Sequence, residues 1–149
     1  MSKIKISIII ANYNNEKYIG RCIDSCIKQN INEKYEIILI DDNSSDNSLK
    51  NIKKFKEKIK IIKIKKSKKG LKFNTYFQLN TYLNGLLRAK GDIICFLDSD
   101  DYFRKNKLSV INNYFLKDSL LEIVFDSPIL IDDKKNIIHK KKKFGFRER

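Results

Sequence analysis

Apolar residues fall into short continuous runs separated by helical stripes, and this alternation runs along most of the chain. Ile4 to Ala11 is nearly all apolar and β-branched, the pattern of a strand covered on both faces. Asn14 or Asn15 can cap the helix that follows, whose inward stripe is Tyr18, Ile19, Cys22, Ile23, Cys26 and Ile27. Tyr35 to Ile40 repeats the buried-strand pattern and enters Asp41-Asp42-Asn43-Ser44-Ser45-Asp46. Ser45 or Asp46 can cap a second helix with Leu49, Ile52 and Phe55 inward. Ile59 to Ile64 alternates partly with lysine, as in a strand with one wet face or at a sheet edge. The spacing then predicts a helix over Asn74 to Lys90, with Tyr76, Leu79, Leu83, Leu86 and Leu87 on its inner side. Gly91 is placed to stop it at the C′ position. Asp92 to Leu97 reads as a fourth buried strand, ending in Asp98-Ser99-Asp100-Asp101. A short helix carrying Leu108, Ile111 and Phe115 follows. Glu122 to Ile131, a turn over residues 132–136, and Ile137 to His139 read as a hairpin.

Strands alternating with helices predict an α/β fold, a mostly parallel sheet with helices on both faces, Rossmann-like and ending in a β-hairpin. Residues 1–149 are expected to form one domain, with 140–149 as a basic tail. Ligands of such sheets bind outside the carboxyl ends of the strands. Asn12-Tyr13-Asn14, Asp41-Asp42-Asn43 and Asp98-Ser99-Asp100 each follow a buried strand directly, so all three are expected at that edge, around one crevice.

Composition narrows the classes. The hydrophobic fraction of 42% is that of a globular protein. The first apolar run is too short for a secretory signal, and no stretch has the roughly 18–20 apolar residues of a membrane span. The expected location is therefore the cytoplasm, with peripheral contact at the inner face of the membrane as an option. Three cysteines, Cys22, Cys26 and Cys95, give no disulfide framework and read as small buried residues. The net charge of +14 invites a nucleic-acid reading. No finger spacing, aromatic-glycine strand motif or Gly-X-X-Gly loop accompanies it, so solvated basic faces come first, an anionic membrane surface second, and no specific nucleic-acid partner is expected.

Asp98-Ser99-Asp100 is the sharpest chemical feature. Two carboxylates two residues apart at a strand end repel each other unless a cation intervenes. Carboxylate oxygens suit Mg²⁺ or Mn²⁺, which keep positions open for substrate phosphates. The alternative is a solvated acidic turn capping the next helix. Asp41 and Asp42 are either turn and cap chemistry or acceptors for a nucleobase or ribose. Tyr13 is either a boundary aromatic or a ring stacked on a base. The glycine-rich dinucleotide and phosphate-loop motifs are absent from the sequence.

Taken together, Ile-Ser-Ile-Ile-Ile-Ala-Asn-Tyr-Asn at 6–14, Ile-Leu-Ile-Asp-Asp-Asn-Ser-Ser-Asp-Asn-Ser at 38–48 and Gly-Asp-Ile-Ile-Cys-Phe-Leu-Asp-Ser-Asp-Asp at 91–101 resemble family 2 glycosyltransferases of the GT-A fold. The resemblance covers roughly residues 4–115. It implies that Ala11 and Tyr13 contact the nucleotide, the tyrosine lying against uracil. It also implies that Asp42 bonds the base, with Asp41 beside it able to share the task. Asp98 and Asp100 match the metal motif, Asp100 as the direct ligand of Mg²⁺ or Mn²⁺ and Asp98 nearer the ribose. Lys72 falls near a position where relatives place a basic residue by the diphosphate, although Lys72 to Tyr82 departs from their Ala-Arg-Asn pattern. The implied partners are a UDP-sugar and a glycan or lipid-linked acceptor, and the implied process is cell-surface polysaccharide synthesis. The acceptor side and general base of relatives lie downstream, so a truncated nucleotide-sugar-binding domain is expected. Asp126, Asp132 and Asp133 are the Asp residues remaining in the strand-hairpin region, and none is assigned as base. The second reading is a non-catalytic nucleotide-sugar-binding module that acts with a partner chain.

Overall fold

The computed structural model describes residues 3–64, 74–132, 134 and 136–140. The chain divides into two compact units, 1–113 and 114–149. The first is built from β1 (Ile6–Asn12), α1 (Ile19–Ile27), β2 (Tyr35–Asp41), α2 (Ser48–Asn51), a 3₁₀ turn at Lys53–Phe55, β3 (Lys60–Lys63), α3 (Asn74–Leu86) and β4 (Ile93–Asp98). α4 (Lys107–Lys117) bridges the boundary in sequence, and the second unit carries the hairpin β5 (Ile129–Ile131) and β6 (Ile137–Lys140).

The four strands of the first unit are all parallel, in the order β3-β2-β1-β4. β1 is central because its side chains suit burial on both faces: Ile6, Ile8, Ile9 and Ile10 are wholly enclosed. Each isoleucine buried in this way contributes about 1.5–3 kcal/mol from removal of apolar surface from water. From β1 the chain moves one way to β2 and β3, then returns to place β4 on β1's other side. β1 is therefore where the strand order reverses, and the crevice beyond the carboxyl ends of β1 and β4 is the expected ligand position in an open parallel sheet. Lys60 and Lys63 are exposed on the outer strand β3, consistent with the edge expected from the Ile/Lys alternation.

Three sequence expectations are corrected. The leucines of α3 face outward: Leu79, Leu83, Leu86 and Leu87 are exposed, whereas Thr81 and Gly85 are buried and Tyr82 is half-buried. The helix packs on β1 and β2 through its small residues, because a Cβ on Gly85 would run into Ile9 and come within 3.3 Å of Ile40. Close approach, rather than leucine bulk, sets that face. Gly91 is not a left-handed helix cap, since no glycine among the described residues has positive φ. Its added Cβ would lie 2.5 Å from the Ser7 amide nitrogen, so the backbone of β1 leaves no space for a side chain. Finally, β4 is an edge strand of the described sheet, with Phe96 52% exposed, rather than a strand buried on both faces.

The α1 stripe is as expected, with Ile19, Cys22, Ile23 and Cys26 buried. The hairpin is also present but shorter than its sequence pattern, because residues 121–128 adopt no regular structure. Asp132 makes the turn: its carboxylate accepts bonds from the Asn136 amide at 2.7 Å and side chain at 2.8 Å. Those bonds hold its carboxyl below the usual range. Asp133 and the basic tail from residue 141 lie outside the described residues.

Candidate functional site

The parallel register fixes where the polar clusters emerge. Ala11 pairs with Ile40 of β2 and with Asp98 of β4, and Asn12 pairs with Asp41. The residues after β1, β2 and β4 therefore leave the sheet side by side at one edge. Tyr13 is 53% exposed there, so its ring is available to a ligand. Lys72 lies outside the described residues.

The first two loops are clasped by short polar side chains. The Asn12 Nδ2 donates to Asp41 Oδ1 at 2.8 Å and to Ser44 Oγ at 3.1 Å. The Ser44 hydroxyl donates to Asp41 Oδ1 at 2.6 Å, and the Ser44 amide donates to Asp41 Oδ2 at 3.1 Å. The Asn14 amide donates to Ser44 Oγ at 3.0 Å. That hydroxyl thus gives one proton and accepts two, which is its full capacity. Asn14 and Asn43 take the left-handed φ values of 50° and 58° that asparagine tolerates, which lets each loop turn sharply onto the other. The clasp continues outward through Ser45 to Asn14 at 2.8 Å, Glu16 to Asp46 at 2.9 Å, and Asn47 to Glu16 at 2.8 Å. Asp46 also accepts the Ser48 amide at 2.9 Å, but the residue at the cap position of α2 is Asn47, not Ser45 or Asp46 as expected, and it makes no side-chain cap bond.

This arrangement separates the two neighbouring aspartates. Asp41 is 0% exposed and holds three donors from Asn12 and Ser44, so its carboxylate is committed to shaping the loops. Asp42 is 9% exposed, and its amide is tied to the Asn12 carbonyl at 2.9 Å. The sequence places Asn12 at this edge but gives neither it nor Ser44 a role; Ser44, three residues after Asp41, fits an Asx-type turn, whereas the bond from Asn12, 29 residues away, has no local signature.

The third loop is joined to the first from its other side. The Ser99 amide donates to the Ala11 carbonyl at 3.1 Å, and the Asn15 Nδ2 donates to Ser99 Oγ at 2.6 Å. Asp98 Oδ1 accepts the Tyr82 hydroxyl at 2.6 Å and Gln78 Nε2 at 2.7 Å. Burial, then the bond to Asp98, pushes the Tyr82 hydroxyl's pKa up, so that group remains a donor across the neutral range. Asp100 and Asp101 are exposed on the turn after β4. Partial burial, followed by the charges of Asp100 and Asp98, raises Asp101, with Arg21 opposing the shift. Arg21 itself lies over the Tyr102 ring, 4.4 Å from its centroid. Three carboxylates within one turn thus crowd each other electrostatically. The cysteines are buried and free, and burial pushes the Cys95 thiol up to about 11, which leaves it unreactive.

Comparisons with known proteins agree with this fold. The model of the family described as glycosyl transferase family 2 matches residues 7–149. A glycosyltransferase of Nostoc sp., alr2836, is 33% identical over 138 residues, covering 90% of this chain and 40% of its own. The poly(ribitol-phosphate) beta-glucosyltransferase of Bacillus spizizenii is 36% identical over 107 residues, 70% of this chain and 16% of its own. The crystal structure of S. aureus TarS 1–349 in complex with UDP-GlcNAc superposes with a TM-score of 0.64 at 28% identity, covering 76% of this chain and 31% of that one. The chain spans less than half the length of each of these relatives.

Proposed function

The chain belongs to glycosyl transferase family 2, and on that premise we propose that it forms the nucleotide-sugar side of a transferase that uses a UDP-sugar and a divalent metal. The observation that carries this reading is the Asp98-to-Asp101 turn at the end of β4, placed beside the clasped β1 and β2 loops at the point where the strand order reverses. Tyr13 offers a stacking face for uracil and Asp42 an acceptor for its edge. Ala11, at the end of β1, would line the nucleotide. Asp98 and Asp100 would hold Mg²⁺ or Mn²⁺. Their hard oxygens suit such an ion, and its charge would offset the carboxylate repulsion that, after partial burial, raises Asp101. Among the described residues no three His, Cys, Asp or Glu groups form a closed cage. That fits an ion bound by one or two carboxylates and completed by substrate phosphates and water. Once bound, the metal would supply Lewis-acid stabilisation of charge on the departing diphosphate.

The acceptor we propose is a glycan or lipid-linked polymer of the cell surface, as in the relative that acts on poly(ribitol-phosphate). No helix among the described residues is long and apolar enough to cross a membrane. The net charge of +14 suits work against an anionic polymer or at the cytoplasmic face of an anionic membrane.

Calorimetric titration with UDP, GDP and UDP-sugars, with and without Mn²⁺, tests the reading. UDP should bind more tightly than GDP, and Mn²⁺ should strengthen both. Tyr13→Ala should cost roughly 1–3 kcal/mol, the usual worth of stacking a base on an aromatic ring. Asp42→Asn should narrow the UDP-over-GDP preference. Metal-independent binding without base preference would overturn the proposal.

A further inference from the structure

Asp98 is oriented from two sides. Its main chain is fixed by pairing with Ala11, and its carbonyl accepts the Asp101 amide at 3.1 Å and the Cys22 thiol at 3.6 Å. Its side chain meets α3 through Tyr82 and Gln78. These residues are four apart, so the helix presents both on one face. Both donate to the same oxygen, Oδ1, at 2.6 and 2.7 Å. Among the described residues no donor is bonded to Oδ2. The Tyr82 ring is itself held in place. It packs against the core formed by Ile9, Ile38 and Ile40, and meets Phe96 edge-on with ring centroids 4.9 Å apart. Phe96 lies two residues before Asp98 on the same strand, so the ring and the carboxylate it bonds share one support.

We propose that Tyr82, assisted by Gln78, is a positioning residue that occupies Asp98 Oδ1 and so leaves Oδ2 as the oxygen presented to the metal-bound nucleotide. The proposal rests on the reading of Asp98 and Asp100 as the metal site. Neither α3 residue needs to touch the nucleotide. Their part is to confine a carboxylate that otherwise rotates about its Cβ–Cγ bond and exchanges its two oxygens. Hydrogen-bonded partners of this kind hold ligands in their working orientation, and their loss typically lowers metal affinity about 10–100-fold. The competing explanation is that Asp98 only satisfies a half-buried hydroxyl. That role would affect stability but not the response to metal.

The test uses the full chain, its Tyr82→Phe and Gln78→Ala variants, and the double variant. UDP affinity is measured by calorimetry with and without Mn²⁺, alongside the thermal midpoint. Tyr82→Phe keeps the ring and its contact with Phe96, and Gln78 is exposed, so both single variants should fold. Tyr82→Phe should weaken UDP binding about 10-fold in Mn²⁺ and leave the metal-free affinity unchanged; the double variant should lose more. A Tyr82→Phe variant with the parent's full gain from Mn²⁺ would overturn the positioning role, as would equal weakening with and without metal. A parent chain that gains nothing from Mn²⁺ would overturn the metal reading itself, and the positioning role with it.

Discussion

Asp41→Ala is expected to destabilise the chain by about 3 kcal/mol or more, a large part of the roughly 5–15 kcal/mol that holds a typical domain folded. The substitution removes no catalytic group. It strips the partner from three donors at once: the Asn12 side-chain amide, the Ser44 hydroxyl and the Ser44 backbone amide. Asp41 is wholly enclosed, so water cannot readily replace the carboxylate, and each orphaned donor costs about 1–3 kcal/mol. Partial rearrangement of Ser44 would keep the sum nearer the low end. Asp41→Asn retains the volume and one acceptor oxygen, so it should cost less. Urea unfolding followed by far-UV circular dichroism measures both. An unfolding free energy for Asp41→Ala within about 0.5 kcal/mol of the parent, the range of ordinary surface changes, would show that the clasp contributes little.

Asp100→Ala should do the reverse, sparing the fold and removing the response to metal. Asp100 is exposed, and its stability change should stay within about 0.5 kcal/mol. UDP affinity in saturating Mn²⁺ should fall about 100-fold, the upper end of what losing even a supporting group costs a metal site. Affinity without metal should not fall, because one negative charge near the diphosphate has gone. Asp101 should then titrate lower, since the Asp100 charge is among the causes of its raised pKa. Calorimetry at several Mn²⁺ concentrations reads the first effect. Unchanged metal-dependent affinity in Asp100→Ala would remove Asp100 from the metal site.

The sequence made the sheet legible because β1 and β2 bury both faces, and a continuous run of isoleucine has few other uses. The polar clusters were legible for the same reason: each follows such a run directly, and the register of Ala11 with both Ile40 and Asp98 brings them to one edge. Leucine bulk suggests a core-facing stripe on α3, yet those leucines face outward. The inner side instead uses Gly85, whose missing side chain admits Ile9 and Ile40. Tyr82 and Gln78 lie on the helix outside the leucine stripe, so the hydrophobic pattern gives no sign of them. The bonding roles of Asn12 and Ser44 are not legible for another reason. Their bonds cross between strands about 30 residues apart in sequence, and no local pattern encodes such a pairing. Gly91 was recognised as a necessary glycine, but its cause is the nearby β1 backbone rather than a left-handed turn.

The clasp between the first two loops also bears on the rates at which a nucleotide would come and go. It is made of asparagine, serine and aspartate, side chains with few rotatable bonds, and each of its bonds joins two groups of the chain itself. The freedom of those side chains is surrendered when the chain folds, not when a base arrives. Association with the base side therefore requires no loop ordering of its own. Encounter should be governed by diffusion and charge, and selectivity among bases should be expressed in how long each one stays.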